Sequence, residues 1–375
     1  MQDLDDPYQL DPSAINGSND DGIVIPAEVQ DYINRQFQYG FIYHWDPNPY
    51  YGSDDDDFVG TFHPEYLGLR DKIQDASNGQ TILIYDYVFE MRPNYQPVEL
   101  IHNQYQLIRE LGRGAFGITY LGLDTVNNRQ VAVKIIDLTK LKSRGYSQQL
   151  VANEIEALSE LSHNGVSDYI VKYYASFEEV HHGVNSMIII SEYIDGINLL
   201  DYIRRAEIEP TVMWPLYLQL LLGLNGIHQR GYVHRDIKPD NIMLTSDHKI
   251  KYIDFWLACM QECKIDACIN NCGGAHGAVA YTPEEIINGT RPLTFDAFRS
   301  QDIWALSLTM YQMANRGRMP DEIFSHYDLD RDGRTNDFLQ QLIVKDWHHR
   351  PSVSDAIHLL TNIILQRVWT STPTH

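Results

Sequence analysis

The sequence has few basic residues, no long apolar run, and no basic and apolar leader at its start. It holds 29 Lys and Arg against 51 Asp and Glu in 375 residues, a formal net charge of −22. This balance excludes nucleic-acid binding as the main activity, because such binding needs a basic surface. No stretch approaches the roughly 20 apolar residues that span a bilayer, and the start MQDLDDP predicts no secretory signal. We therefore expect an intracellular, cytoplasmic protein that binds neither nucleic acid nor membranes.

Acidic residues and cysteines are both unevenly distributed. Residues 1–100 carry nineteen acidic and four basic side chains, and therefore most of the net charge. Residues 1–31 are polar and typical of a flexible tail, residues 32–66 are rich in aromatics, and residues 81–91 resemble a strand. All four cysteines lie within fourteen residues (Cys259, Cys263, Cys268 and Cys272). The chain thus divides near residue 103, after an acidic, aromatic-rich N-terminal extension (1–103).

From Gln104 onward the pattern indicates strands first and helices later. Strand-like segments are found at 105–111, 118–123, 129–137, 170–177 and 187–193, with one helical pattern at 147–161. Helical patterns then dominate, at 198–205, 212–230, 299–316, 336–345 and 353–367. This order predicts an α+β fold of two lobes, a small antiparallel sheet lobe (104–194) followed by a larger helical lobe (195–369).

Two short motifs in the sheet lobe indicate phosphate binding. The turn from Gly112 to Gly117 (GRGAFG) joins two strands, and its glycines would let the backbone approach a polyphosphate. Because a strand follows it rather than a helix, a dinucleotide-binding fold is disfavoured. Lys134 ends the segment VAVK, and a buried lysine there needs a carboxylate partner. Glu154, on the predicted helix, is the candidate.

Two further motifs in the helical lobe indicate metal and acid–base chemistry. The segment HRDIKPDN (234–241) combines a candidate general base, Asp236, with the cation Lys238 and the carboxamide of Asn241. Asp254 follows in the strand-like segment KYIDF. An aspartate and an asparagine together supply the oxygen ligands that Mg²⁺ prefers.

Taken in order, these motifs resemble a eukaryotic-type protein kinase over residues 104–368. Asp254-Phe255 stands for the first two residues of DFG, and Thr282-Pro283-Glu284 stands for APE. Arg350 matches the late arginine that pairs with the APE glutamate, here Glu284. Lys238, two residues after Asp236, resembles the serine/threonine branch of the family.

The resemblance implies a role for each motif residue. Lys134, oriented by Glu154, would hold the α and β phosphates of ATP, and Asn241 and Asp254 would hold Mg²⁺. Asp236 would accept the proton of the substrate hydroxyl while Lys238 neutralises charge on the transferred phosphoryl group. The nucleotide would be enclosed by residues of both lobes (Leu111, Gly112, Gly114, Gly117, Ala132, Glu192, Ile194 and Met243).

The sequence departs from the family pattern at two notable positions. Trp256 replaces the DFG glycine, and Gly277 stands where the serine/threonine branch usually has a threonine that bonds the catalytic aspartate and lysine. Catalysis on serine or threonine hydroxyls of protein substrates remains the first hypothesis, and the acidity favours basic substrates. The alternative is a pseudokinase that serves as a nucleotide-binding or scaffold module. The divergence is compatible with a viral or parasitic kinase in a host cell, and the oligomeric state is not predicted.

The cysteines lie inside the segment that corresponds to the activation loop, which has no Ser, Thr or Tyr between Phe255 and Ala280. Cys259/Cys263 and Cys268/Cys272 form two CxxxC pairs. Four thiolates in such a hairpin could bind Zn²⁺, could form two disulfides, or could remain free thiols. Whichever holds, we hypothesise that the cluster replaces phosphorylation in ordering the loop.

Overall fold

The computed structural model describes residues 26–29, 81–84, 87–90, 100–162, 168–205, 208, 210–261, 277–288, 294–320 and 333–371. These residues fall into two compact units. One contains β1 (Thr81–Ile84) and β2 (Tyr87–Glu90), an antiparallel pair. The interpretation of 81–91 as a single strand was therefore wrong, since the chain reverses within it. The other unit contains residues 26–29 and 101–371.

A six-stranded sheet with the order β3-β4-β5-β6-β8-β7 forms the first lobe. Its strands are β3 (Leu100–Ile101), β4 (Tyr105–Arg113), β5 (Gly117–Asp124), β6 (Arg129–Asp137), β7 (Tyr173–His181) and β8 (Val184–Glu192). Each of the pairs from β4 onward is antiparallel. The alternation in β6 buries Val131 and Val133 in a small core on one face of the sheet, so Lys134 lies on the opposite face.

Two helices accompany the sheet, α1 (Leu138–Ser143) and α2 (Gln149–Ser162). Helix α1 begins where Asp137 caps it, accepting a hydrogen bond from the Lys140 main-chain N–H at 2.8 Å. Helix α2 buries an apolar stripe that includes Leu150, Leu158 and Leu161, and Glu154 lies buried on the same helix. The sheet lobe thus brings a buried carboxylate close to the face of β6 that carries Lys134.

The second lobe is mainly helical. Its helices are α3 (Leu199–Arg205), α4 (Pro210–Gln229), α5 (Glu284–Ile287), α6 (Phe295–Ala314), α7 (Gly333–Leu342) and α8 (Val353–Ser371). Helices α4 and α6 are buried along most of their length and form the centre of the main core. Among the described residues, no helix is both long and apolar enough to cross a membrane.

Short strands and turns carry the predicted site residues between the lobes. They are β9 (Gly196–Asn198), β10 (Tyr232–Val233), β11 (Ile242–Thr245), β12 (Ile250–Tyr252) and β13 (Cys259–Met260), with 3₁₀ turns at Pro239–Asn241, Val279–Tyr281 and Trp347–His349. Strand β11 pairs with both β9 and β12, and β10 pairs with β13. The segment before β11 and the segment after β12 therefore lie side by side.

Val29, far from the site in sequence, belongs to the same core. Its side chain is completely buried within the main hydrophobic cluster, and its main-chain N–H donates to the Pro26 carbonyl at 3.0 Å. The predicted extension 1–103 thus supplies at least one residue to the core of the unit that holds both lobes. Apart from residues 26–29, residues 1–80 lie outside the described residues.

Candidate active site

Lys134 joins the sheet lobe to the start of the segment after β12. Its Nζ lies 2.5 Å from Glu154 Oε1 and 3.0 Å from Asp254 Oδ1. Glu154 is buried, while Asp254 is partly exposed. One ammonium group therefore bridges two carboxylates from different parts of the chain, and the contact with Glu154 is the one that the sequence predicted.

The three charged groups shift one another's pKa. Burial lowers the pKa of Lys134, but Asp254 and Glu154 outweigh it, so the pKa is raised and the amine stays charged. Burial raises the pKa of Glu154, and Lys134 offsets this only in part. For Asp254, burial is outweighed by Lys134, with contributions from His234 and Lys238, so its pKa is lowered. The carboxylate of Asp254 is therefore kept in its charged form.

On the other side of the site, Asp236 accepts hydrogen bonds from three donors. Lys238 Nζ donates to Oδ2 at 2.9 Å, Asn241 Nδ2 donates to Oδ2 at 2.8 Å, and the main-chain N–H of Ala278 donates to Oδ1 at 2.9 Å. The carboxylate is thus fixed from both ends. Lys238 and Asn241 reach it because the 3₁₀ turn Pro239–Asn241 folds back on the loop.

Asp302, on α6, holds this loop in place through hydrogen bonds to its main chain. Its fully buried carboxylate accepts the main-chain N–H groups of His234 at 2.8 Å and Arg235 at 2.7 Å, and lies 2.9 Å from His228 Nε2. Arg235 has a φ of +65°, a conformation that a non-glycine residue adopts only when its surroundings hold it. Asp302 supplies that restraint through the arginine's own N–H.

Asn241 and Asp254 fit a magnesium site. The N–H of Ile253 donates to the Asn241 carbonyl at 3.0 Å, which aligns the two segments. Asn241 directs its amide NH₂ toward Asp236, so its amide oxygen points elsewhere. Asp254 uses Oδ1 on Lys134, and no hydrogen bond to Oδ2 is found among the described residues. The pair therefore offers two oxygens of the kind that Mg²⁺ prefers.

Comparison with known proteins identifies the family. The protein kinase domain family matches residues 105–371. This chain belongs to the protein kinase family. Similar curated proteins include serine/threonine-protein kinase cds1 of Schizosaccharomyces pombe (29% identical, 56% of this chain and 45% of that protein). Others are CBL-interacting serine/threonine-protein kinase 2 of Arabidopsis thaliana (30%, 56% and 43%) and the calcium/calmodulin-dependent protein kinase kinase of Caenorhabditis elegans (29%, 56% and 40%). The chain spans less than half the length of these relatives.

The match confirms the kinase resemblance, and the two-lobed α+β architecture agrees with it. The residues assigned to the nucleotide occupy both lobes of the kinase domain. In the sheet lobe, the end of β4 carries Leu111 and Gly112, the β4–β5 turn carries Gly114, and β5 begins with Gly117. Ala132 on β6 pairs with Ser191 on β8. Glu192 ends β8, Ile194 lies just after it, and Met243 is on β11. Glu192 also binds Lys251 Nζ at 2.8 Å, a contact that the sequence did not suggest. Packing also requires a glycine at position 117, because a Cβ there would overlap the Ile135 carbonyl.

The predicted partner of Arg350 was wrong by one residue. Arg350 Nη1 lies 2.5 Å from Glu285 Oε1 and Nη2 lies 3.3 Å from Oε2, so the buried pair is with Glu285. Glu284 is exposed and lies 3.7 Å from Lys345. Two adjacent glutamates give the same sequence motif, and only the orientation at the start of α5 distinguishes them.

The same shift of one residue toward the C-terminus applies to the segment that precedes α5. The position that usually carries threonine falls on Ala278, rather than on Gly277 as the sequence comparison assigned it. Ala278 has no hydroxyl, but its main-chain N–H makes the bond to Asp236 instead. Gly277 lies beside it with a φ of +78°. Sequence reasoning could not have found this donor, because every residue except proline has one.

The cysteine cluster is only partly described. Cys259 is buried on β13 and is disulfide-bonded, which removes its thiolate from the set of four proposed for Zn²⁺. Cys263, Cys268 and Cys272 lie outside the described residues. Within the described part of the chain, no group of three or more His, Cys, Asp or Glu side chains could hold a metal. The disulfide alternative is therefore the one that Cys259 favours.

Proposed function

We propose that this protein transfers the γ-phosphoryl group of ATP to serine or threonine hydroxyls of protein substrates. The observation that carries the proposal is the bridging position of Lys134 between Glu154 and Asp254. A charged lysine held at that point, with oxygen ligands for a cation beside it, is the arrangement that phosphoryl transfer requires.

Each side of the site would have its own task. Lys134 would bind the α and β phosphates while Glu154 keeps it in place, and Asn241 and Asp254 would hold Mg²⁺. The bound cation would neutralise charge on the phosphate oxygens. The adenine would lie between the sheet lobe and Met243, with main-chain hydrogen bonds from Glu192 and Ile194.

Asp236 would act as the general base. The substrate oxygen would form a bond to the γ-phosphorus as the bond to the β–γ bridging oxygen breaks, and the hydroxyl proton would pass to Asp236. Lys238, 2.9 Å from Asp236, would stabilise negative charge on the transferred group. Three hydrogen bonds fix the base before substrate arrives, so little reorganisation is needed during the step.

Substrate choice is the finer part of the proposal. The relatives with serine/threonine in their names and Lys238 beside Asp236 support a hydroxyl of serine or threonine. The acidic charge of the chain supports substrates with basic residues near that hydroxyl. We also propose an intracellular, cytoplasmic location.

The test is phosphate transfer from radiolabelled ATP and Mg²⁺ to a generic basic protein, with Asp236→Asn as the inactive variant. Asp236→Asn keeps the shape of the side chain and should reduce kcat by at least a hundredfold, because general-base catalysis contributes that much. Asp337→Asn is the matched control, since Asp337 is an exposed aspartate on α7.

Transfer by the wild type equal to that of Asp236→Asn would contradict the proposal and favour a scaffold role. Transfer only to tyrosine would contradict the serine/threonine assignment. Phosphoamino-acid determination on the labelled substrate separates the two results.

A further inference from the structure

The tryptophan that replaces the DFG glycine lies against the glycine-rich turn of the other lobe. The ring of Trp256 stacks on that of Phe116, with centroids 5.2 Å apart and planes 17° apart. Phe116 is at the tip of the β4–β5 turn, next to Gly117. A glycine at position 256 could not make this contact, so the stack is a consequence of this particular departure from the family pattern.

A second set of contacts holds the same turn from the α1–α2 connection. The ring of Tyr146 meets Phe116 edge to face at 4.8 Å. The guanidinium of Arg144 lies 5.7 Å from the Phe116 ring and donates to the Ala115 carbonyl at 3.3 Å. We call Phe116, Tyr146 and Trp256 the aromatic clasp. Its three rings come from three separate segments of the chain.

The aromatic clasp packs against buried residues next to the charged groups of the site. Tyr146 and Trp256 pack on a small cluster formed by Leu150 of α2 and Leu257, both buried. Lys134 Nζ lies 5.7 Å from the centroid of the Trp256 ring. The indole is therefore fixed at its base and lies next to the lysine that would hold the phosphates.

We propose that the aromatic clasp holds the glycine-rich turn closed over the nucleotide phosphates and slows release of the nucleotide, with Trp256 and Phe116 as positioning residues. The proposal rests on the proposed ATP binding. A bound polyphosphate beneath the turn could leave only when the turn lifts, and lifting the turn would separate the Phe116 and Trp256 rings. A stacked aromatic pair of this kind corresponds to about a threefold to tenfold change in a rate or equilibrium constant.

The test measures release of the fluorescent analogue methylanthraniloyl-ADP from the full chain by stopped flow. Trp256→Gly and Phe116→Ala should each speed release by about threefold to tenfold, and the double variant should be no faster than the faster single variant, because both remove the same contact. Trp256→Phe should retain slow release. Phe177→Ala is the matched control, since Phe177 stacks on Tyr105 elsewhere in the same sheet.

Release at the wild-type rate in both single variants would overturn the proposal, as would effects that multiply in the double variant. If Trp256→Gly fails to fold, Phe116→Ala is measured both in the wild type and in the Trp256→Phe variant, and it should speed release in both. A wild-type protein that binds no analogue would overturn the proposed function as well. A wild type that binds the analogue but whose release no clasp variant changes would overturn the clasp alone.

Discussion

The two sides of the site hold their side chains in different ways. On the sheet side, Lys134 and Glu154 are held by an ion pair. On the helical side, Asp236 is held largely by main-chain and amide donors, and its loop is held by the buried Asp302. When phosphates and a cation bind, their charges can replace the partners in an ion pair. Hydrogen bonds from a strained loop cannot be exchanged in this way. The nucleotide side is thus adaptable, and the side that would bind the acceptor hydroxyl is prearranged.

The largest effect should follow removal of the support beneath the helical side. Asp302→Ala leaves the N–H groups of His234 and Arg235 buried without a partner, at about 1–3 kcal/mol each. We expect the free energy of unfolding in urea to fall by about 3–5 kcal/mol, with loss of phosphate transfer. Asp296→Ala on the same helix removes an exposed carboxylate and should change it by less than about 1 kcal/mol. A similar small loss in both variants would show that Asp302 does not hold the loop.

The corrected ion pair should be next in size. Glu285→Gln removes the charge that faces the buried guanidinium of Arg350, and hydrogen bonds between charged groups contribute about 1.5–3 kcal/mol. We expect thermal and urea unfolding to report a loss in that range. Glu284→Gln changes the neighbouring, exposed glutamate and should have little effect. The opposite ranking would restore the motif assignment made from sequence.

A smaller effect on turnover is expected at Gly277. A Cβ there would lie 2.6 Å from the Arg235 carbonyl oxygen and 3.0 Å from Asp236 Oδ1, so Gly277→Ala should displace the Ala278 N–H from Asp236. Loss of one hydrogen bond corresponds to about a tenfold fall in kcat, with KM for ATP unchanged. Gly145 has the same positive φ but open space around it, and Gly145→Ala should leave kcat unchanged. Equal kcat in the two variants would argue against the main-chain donor.

The last effect concerns the dependence of stability on pH. Burial lowers the pKa of His248, in the β11–β12 turn, to about 4 from an ordinary value of 6.5. Between these values the unfolded chain binds a proton that the folded protein does not, so stability is lost as the pH falls from 6.5 toward 4. His248→Asn, which tolerates the positive φ of 63° there, should reduce this loss. Urea unfolding at pH 7 and pH 5 measures the difference, and identical pH dependence in both proteins would contradict it.

Sequence patterns predicted the long elements well. The strand 129–137 was predicted with its observed bounds, because its alternation of apolar and polar residues is regular, and the predicted helices were placed within a few residues. Helix α1 was missed because its six residues are too few to show a period, and its start depends on the cap by Asp137. The strands β9 to β13 have two to four residues each, and their pairing depends on contacts far along the chain.

Contacts between side chains were predicted where a motif supplies both partners. The Lys134–Glu154 pair was predicted, and Asp236, Lys238 and Asn241 were placed in one loop, where they are now seen to contact one another. The contact of Lys134 with Asp254 was not predicted. What escaped prediction depends on backbone position or on orientation. The Ala278 N–H has no signature in a sequence, and Trp256 could be recognised as unusual without any indication that it would stack on Phe116.

The burial of Val29 has a consequence for how this protein could be truncated. Residues 26–29 and 101–371 belong to one compact unit, so this unit is formed from two stretches that are far apart in the chain. A truncated protein that begins at residue 101 would lack Val29 from its core as well as the acidic charge of the N-terminal region. A variant that keeps residues 26–29 would retain Val29 in the core, and acidic residues can be replaced in it without that loss.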